Sequence, residues 1–219
     1  RGGGRDPRQP APLGNDVSTA PAAARRQMFT PRRRFLHITR QPTPLLLLGF
    51  VAAVGIRVAA GGPDPAGSLV AGLLFAAVLG TLCLASGDAV PTGGRHVSLW
   101  GALGAVVLCA PVLAFGHMTR GTAGFAPWAA AVTVVVIAEE AFLRGALFTA
   151  VMRAAGSSAA VLVTAVCFAA LHIPLYGWRV VPLDFAVGLL LGALRLASGS
   201  WVAPAITHAV ADYVGWFSS

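Results

Sequence analysis

The sequence predicts an all-α protein built into a lipid bilayer: a polytopic bundle of about seven transmembrane helices, preceded by a disordered basic tail. Three observations carry that expectation. The chain of 219 residues is 56% hydrophobic and only 11% charged, with a mean hydropathy of +0.74, a composition for which lipid rather than water is the main solvent. Apolar runs recur along it that are long enough to cross about 30 Å of hydrocarbon at about 1.5 Å per helical residue. The breaks between these runs are clusters of Gly, Pro and Arg, which read as turns.

Residues 1–27 are rich in Gly, Pro, Ala and Arg without apolar periodicity, so they bury too little surface to fold and are expected to be disordered. The expected tail extends over 1–43. The chain does not begin with methionine, and Met28 reads as an alternative start. The stretch "RRRFLH" (Arg32 to His37) resembles a twin-arginine signal, with Val58 to Ala60 as a cleavage site. The many apolar runs that follow favour reading the first one as a transmembrane helix instead.

The expected spans run over about 44–60, 67–86, 97–115, 125–151, 157–174, 181–197 and 201–217, the first and sixth being short. They divide into N-terminal helices at 44–124 and a C-terminal helical core at 125–219. "GLLLG" (Gly188 to Gly192) is a pair of small residues that lets another helix approach closely.

The net charge of +8 raises nucleic acid as a partner, but nine of the sixteen arginines lie in the first 40 residues, ahead of the first apolar run. That placement fits the positive-inside rule, so the lipid bilayer is the expected partner and nucleic acid is not. The N-terminus is expected on the cytoplasmic side of what is read as a bacterial cytoplasmic membrane. Arg95, Arg153 and Arg195 then fall at cytoplasmic ends, Arg120 and Arg179 fall outside, and Glu139 lies toward the cytoplasmic half of the fourth helix. Cys83, Cys109 and Cys167 sit singly in separate runs, without the spacing of a zinc site or a disulfide framework, and are expected to pack in the core.

Three runs carry ionisable groups well inside the apolar stretch. These are Glu139, Glu140 and Arg144 in the fourth, His172 in the fifth, and His208 with Asp212 in the seventh. An Arg or Asp at a helix centre costs about 2.5–3.5 kcal/mol on insertion scales, so these groups must face inward and meet one another. Glu140 and Arg144 are four apart, as are His208 and Asp212, which puts each pair on one helix face. Glu139 lies about 100° around the helix from Glu140, so one carboxylate can be structural while the other is free for chemistry. Arg57 and Arg195 are assigned to snorkelling at the interface, Asp184 to a helix start, and His37, His96 and His117 to tails or loops. From the residues alone, a packing network, a proton or ion path and a hydrolytic site all stay open.

The motifs "EEAFLR" (Glu139 to Arg144), "FAALH" (Phe168 to His172) and "HAVAD" (His208 to Asp212) resemble, in order, E-E-x-x-x-R, F-x-x-x-H and H-x-x-x-N/D. These mark the CAAX protease and bacteriocin-processing (Abi) family of intramembrane endopeptidases, to which the type II CAAX prenyl endopeptidases belong. The resemblance covers about 125–217 and includes "GSWVAPAITHAVAD" (Gly199 to Asp212). It implies a protease acting on a peptide or protein at the membrane, with 125–219 as its catalytic core. Glu139 is then the general base, and His172 and His208 hold the water or polarise the scissile carbonyl. Glu140, Arg144 and Phe168 support them.

The resemblance leaves two mechanisms open, a glutamate-activated water and a metal. Glu139, His172, His208 and Asp212 offer enough ligands for zinc or another divalent cation, although the local H-E-x-x-H spacing is lacking. Where the prenyl endopeptidases carry asparagine, this chain has Asp212, which accepts but does not donate when ionised. An orienting role toward His208, or metal ligation, is therefore expected of it rather than an oxyanion role. The alternative reading is a noncatalytic immunity or assembly factor on the same scaffold. Proton-coupled transport is a third, but no charge-bearing face elsewhere suggests a permeation path.

Overall fold

The computed structural model describes residues 43–87 and 94–218. The basic tail, the twin-arginine-like stretch and His37 lie outside the described residues. Within them every expected apolar run is helical and no strand occurs. The elements are α1 (Thr43–Gly61), α2 (Leu69–Ser86), α3 (Val97–Phe115), α4 (Phe125–Glu140), a π-helical segment (Ala141–Leu147), α5 (Phe148–Tyr176), a 3-10 turn (Trp178–Val180), α6 (Val181–Ser198) and α7 (Val202–Phe217).

Helix starts follow local chemistry. Ser68 caps α2 by accepting from the Ala71 amide at 3.2 Å, and Asp64 closes the preceding loop on the Gly67 amide at 2.9 Å. Asp184 and Pro182 stand in the first turn of α6, as expected of a helix start.

The fourth and fifth expected spans form one unbroken run of helix that turns back on itself. Gly156, at φ 86° and ψ 174°, interrupts α5, in a backbone region that is essentially restricted to glycine. A straight helix would hold Arg144 and Phe168 about 36 Å apart, yet the Arg144 guanidinium carbon lies 4.8 Å from the Phe168 ring centre. The chain therefore makes a helical hairpin at Gly156, and the arm 157–176 packs against the π-helical segment. Gly177, at φ 82° and ψ 178°, ends that arm in the same glycine-only conformation. Among the described residues five helical stretches are long and apolar enough to cross a membrane, the fourth being the whole of Phe125–Tyr176. The break at Gly156 divides it into two helices, and α7, at 16 residues, falls short of that length.

The core joins the N-terminal helices to the later ones. Phe50 of α1 stacks on Phe142 of the π segment at 5.8 Å, with Phe75 and Leu79 of α2 fully buried beside them. Helices α3 and α7 run parallel. The Arg95 amide donates to Ser198 O at one end, Thr207 Oγ1 to Gly101 O between, and the Thr119 amide to Phe217 O at the other end. The "GLLLG" seam lies where close approach is needed. A Cβ on Gly188 would stand 2.8 Å from Ala165 Cα, and one on Gly192 3.1 Å from a Val161 methyl, so α6 lies directly on the arm 157–176. Cys83, Cys109 and Cys167 are free thiols buried in the packing, as expected.

Candidate active site

The ionisable groups of α4, the π segment, α5 and α7 converge inside the bundle. Glu139 and Glu140 end α4, and the π segment begins one residue later. Such segments interrupt the regular hydrogen-bond ladder and occur frequently at functional sites. Glu140 and Arg144 are both 0% exposed. Glu140 Oε1 accepts from Arg144 Nη1 at 2.8 Å and lies 3.0 Å from His208 Nδ1. Arg144 also donates through Nη2 to Gly188 O at 3.4 Å and covers the Phe168 ring. This buried pair thus ties α4, α5, α6 and α7 together at one point.

The bonds fix the tautomers. An ionised carboxylate and a backbone carbonyl only accept, so His208 donates Nδ1–H to Glu140 and His172 donates Nδ1–H to Phe168 O at 2.9 Å. Each imidazole is left with Nε2 for other work. Phe168 sits between them, its ring centre 4.7 Å from that of His172 and 5.3 Å from that of His208. His208 Nε2 is 3.8 Å from Asp212 Oδ2, an ion-pair distance beyond hydrogen-bond reach. The i,i+4 face therefore holds, but the hydrogen bond of His208 goes to Glu140, whose carboxylate is already fixed by Arg144.

Glu139 turns the other way. Its Oε1 lies 3.3 Å from Arg57 Nη1 of α1, and the Arg57 guanidinium covers Phe75 at 5.1 Å. Glu139, Arg57, His172, Tyr176, His208 and Asp212 all line one cavity of about 490 Å³. A second cavity of about 720 Å³, walled by Val112, Leu183, Val187 and Leu190, shares His172, Tyr176, His208 and Asp212 with the first.

Three expectations are corrected. Arg57 does not snorkel, because Glu139 and the Phe75 face give its guanidinium partners inside the bundle. Arg195 does not snorkel either: its Nε donates to Arg144 O at 2.8 Å and its guanidinium lies over Phe148. Nor does Glu139, expected toward the cytoplasmic half of the fourth helix on a topology in which α1 starts on that side, lie in the half of the bundle that holds the start of α1. Arg57 is about 6 Å of helix from the far end of α1, and its contact puts Glu139 in that far half. The physical reason is the length of the helix through 125–155, about 45 Å at 1.5 Å per residue. It exceeds the hydrocarbon thickness, so depth cannot be counted from its ends.

The sequence reading also missed Tyr176, stacked on His172 at 5.8 Å, and a second role for Asp184, whose Oδ2 is 3.6 Å from His172 Nδ1. The available signals were the i,i+4 spacing of His172 and Tyr176 and the rule that a charge inside an apolar run, such as Arg57, faces the bundle interior.

The donors do not fit zinc as arranged. Among the described residues no three His, Cys, Asp or Glu side chains converge as metal ligands. An oxygen of Glu139 faces a guanidinium, where a metal ligand would face the ion.

Residues 121–214 match the family model of the Rce1-like type II CAAX prenyl endopeptidases. Searches of curated proteins and of solved structures give no match. The matched segment holds Glu139, Glu140, Arg144, Phe168, His172, His208 and Asp212, whereas Arg57 lies outside it. Such a domain implies a protease working at the membrane. The chain is thus similar, over residues 121–214, to the Rce1-like type II CAAX prenyl endopeptidases, and its long apolar helices mark it as an integral membrane protein.

Proposed function

We propose that the protein is an intramembrane endopeptidase that hydrolyses peptide bonds of membrane-associated proteins or peptides with a water activated by Glu139. The observation that carries this reading is the division of labour between the glutamates. Glu140 is consumed by Arg144 and His208, while Glu139 lines the cavity that also holds His172, His208 and Asp212. In the attacking step the water oxygen bonds to the carbonyl carbon, one water proton passes to Glu139, and the carbonyl π pair moves onto its oxygen. His172 and His208 hold the water or polarise the carbonyl through Nε2, with Phe168 as the spacer between their rings. Asp212 stabilises an imidazolium at His208. Glu140 and Arg144 keep His208 aimed.

The catalytic core in this proposal is 125–219, on a support formed by 44–124. We place the protein in a bacterial cytoplasmic membrane with its N-terminus cytoplasmic. No step requires a metal, because the donor set is spread out and one of its oxygens faces a cation.

The test is cleavage of an unbiased peptide library by detergent-purified protein, wild type beside Glu139→Gln, each with and without a strong chelator. Loss in the mutant without loss on chelation is expected. Loss on chelation would favour a metal route. Equal cleavage by wild type and Glu139→Gln would remove Glu139 from the chemistry. If neither cleaves while both remain monodisperse, the noncatalytic immunity or assembly reading gains ground.

A further inference from the structure

We infer that Arg57, on α1 and outside the matched segment, is a catalytic residue that holds the oxyanion formed during hydrolysis. The inference rests on Glu139 being the base. Attack by water moves one negative charge from the Glu139 carboxylate to the carbonyl oxygen. A cation placed beside Glu139 and open to the cavity serves both positions, neutralising the carboxylate before attack and the oxyanion after it.

Arg57 meets these requirements. It is 8% exposed, stands 3.3 Å from Glu139 Oε1 and lines the same cavity. Its guanidinium hydrogen-bonds Glu139 through Nη1, and its Nε is buried without a hydrogen-bond partner among the described residues. Arg57 and Arg120 are the two arginines lining this cavity, and Arg120 lies on Trp216 at 3.5 Å. Asp212 only accepts when ionised. The cost of burying Arg57 is met by Glu139 and by the Phe75 face.

The test compares Arg57→Met, Arg57→Lys and Glu139→Gln with wild type in the full chain. The substrate is the best peptide from the library, and the probe is the same peptide with a phosphonate at the scissile bond, a tetrahedral anion. Arg57→Met is expected to lower kcat by about 10²–10³-fold with little change in KM, and phosphonate inhibition should weaken in proportion. Arg57→Lys, which keeps the charge without the fork, should fall between. Retained kcat in Arg57→Met, or a fall in kcat with undiminished phosphonate inhibition, overturns the inference, because a residue that only positions Glu139 predicts the latter. If Arg57→Met does not fold, the same comparison of kcat with inhibition is made on Arg57→Lys. The two readings fail separately. Equal activity of wild type and Glu139→Gln removes the base and Arg57 with it, whereas an inactive Glu139→Gln beside a fully active Arg57→Met removes Arg57 alone.

Discussion

Glu139 and Glu140 are adjacent in the chain and serve different faces of the helix: Glu140 Oε1 meets Arg144 at 2.8 Å, while Glu139 Oε1 meets Arg57 of α1 at 3.3 Å. The first contact is wholly buried and the second borders a cavity. Substituting each glutamate by glutamine should therefore give different phenotypes. Glu140→Gln leaves the Arg144 charge buried without compensation and should lower stability by about 3–5 kcal/mol. Glu139→Gln, which leaves Arg57 beside the cavity and the Phe75 face, should lose less stability than Glu140→Gln while losing about 10²–10⁴-fold in cleavage. Thermal unfolding in detergent beside the cleavage assay checks both.

Gly188 should be intolerant of any side chain. A Cβ there meets the Ala165 backbone at 2.8 Å, and a backbone does not move aside as a flexible side chain does. Gly188→Ala should cost about 1–3 kcal/mol by overpacking. It should also disturb Arg144, which donates to the Gly188 carbonyl. Unfolding of the variant, measured beside a control such as Gly215→Ala, where a Cβ meets nothing, reports the difference.

Gly156→Ala isolates backbone strain from packing. A Cβ at 156 has open space around it, yet the backbone stands at φ 86°. The expected cost is about 1–3 kcal/mol. If unfolding of Gly156→Ala matches wild type, the hairpin does not depend on that conformation.

The helix that runs from Phe125 to Gly156 should place its two ends on opposite membrane faces. Gly121→Cys and Ser157→Cys, both at exposed positions, should be labelled by an impermeant thiol reagent from opposite sides of sealed vesicles. Background labelling should be low because Cys83, Cys109 and Cys167 are buried. Labelling of both from one side would rule out a single crossing between them.

The helical spans were legible because lipid imposes one rule on every run, and their ends came within a few residues of those observed. The pairs Glu140–Arg144 and His208–Asp212 were legible as faces, since helix geometry fixes which residues are neighbours. Partners across helices were not. The hydrogen bond of His208 to Glu140 depends on how α7 meets α4, which no local spacing encodes. The burial of Arg57 failed for a related reason. Near the end of a short apolar run a guanidinium has both water and the interior within reach, and only the position of Glu139 on another helix decides between them.

The arm 157–176 carries Phe168, His172 and Tyr176 and is bounded by Gly156 and Gly177, both in conformations that other residues avoid. A helix joined at each end through such residues receives little directional constraint from the chain on either side. Its bearing is inherited sideways, from the contact of Ala165 and Val161 with Gly188 and Gly192. The aim of the His172 imidazole is therefore written in α6, a helix to which it does not belong. Two glycines without functional groups thus govern where that imidazole points.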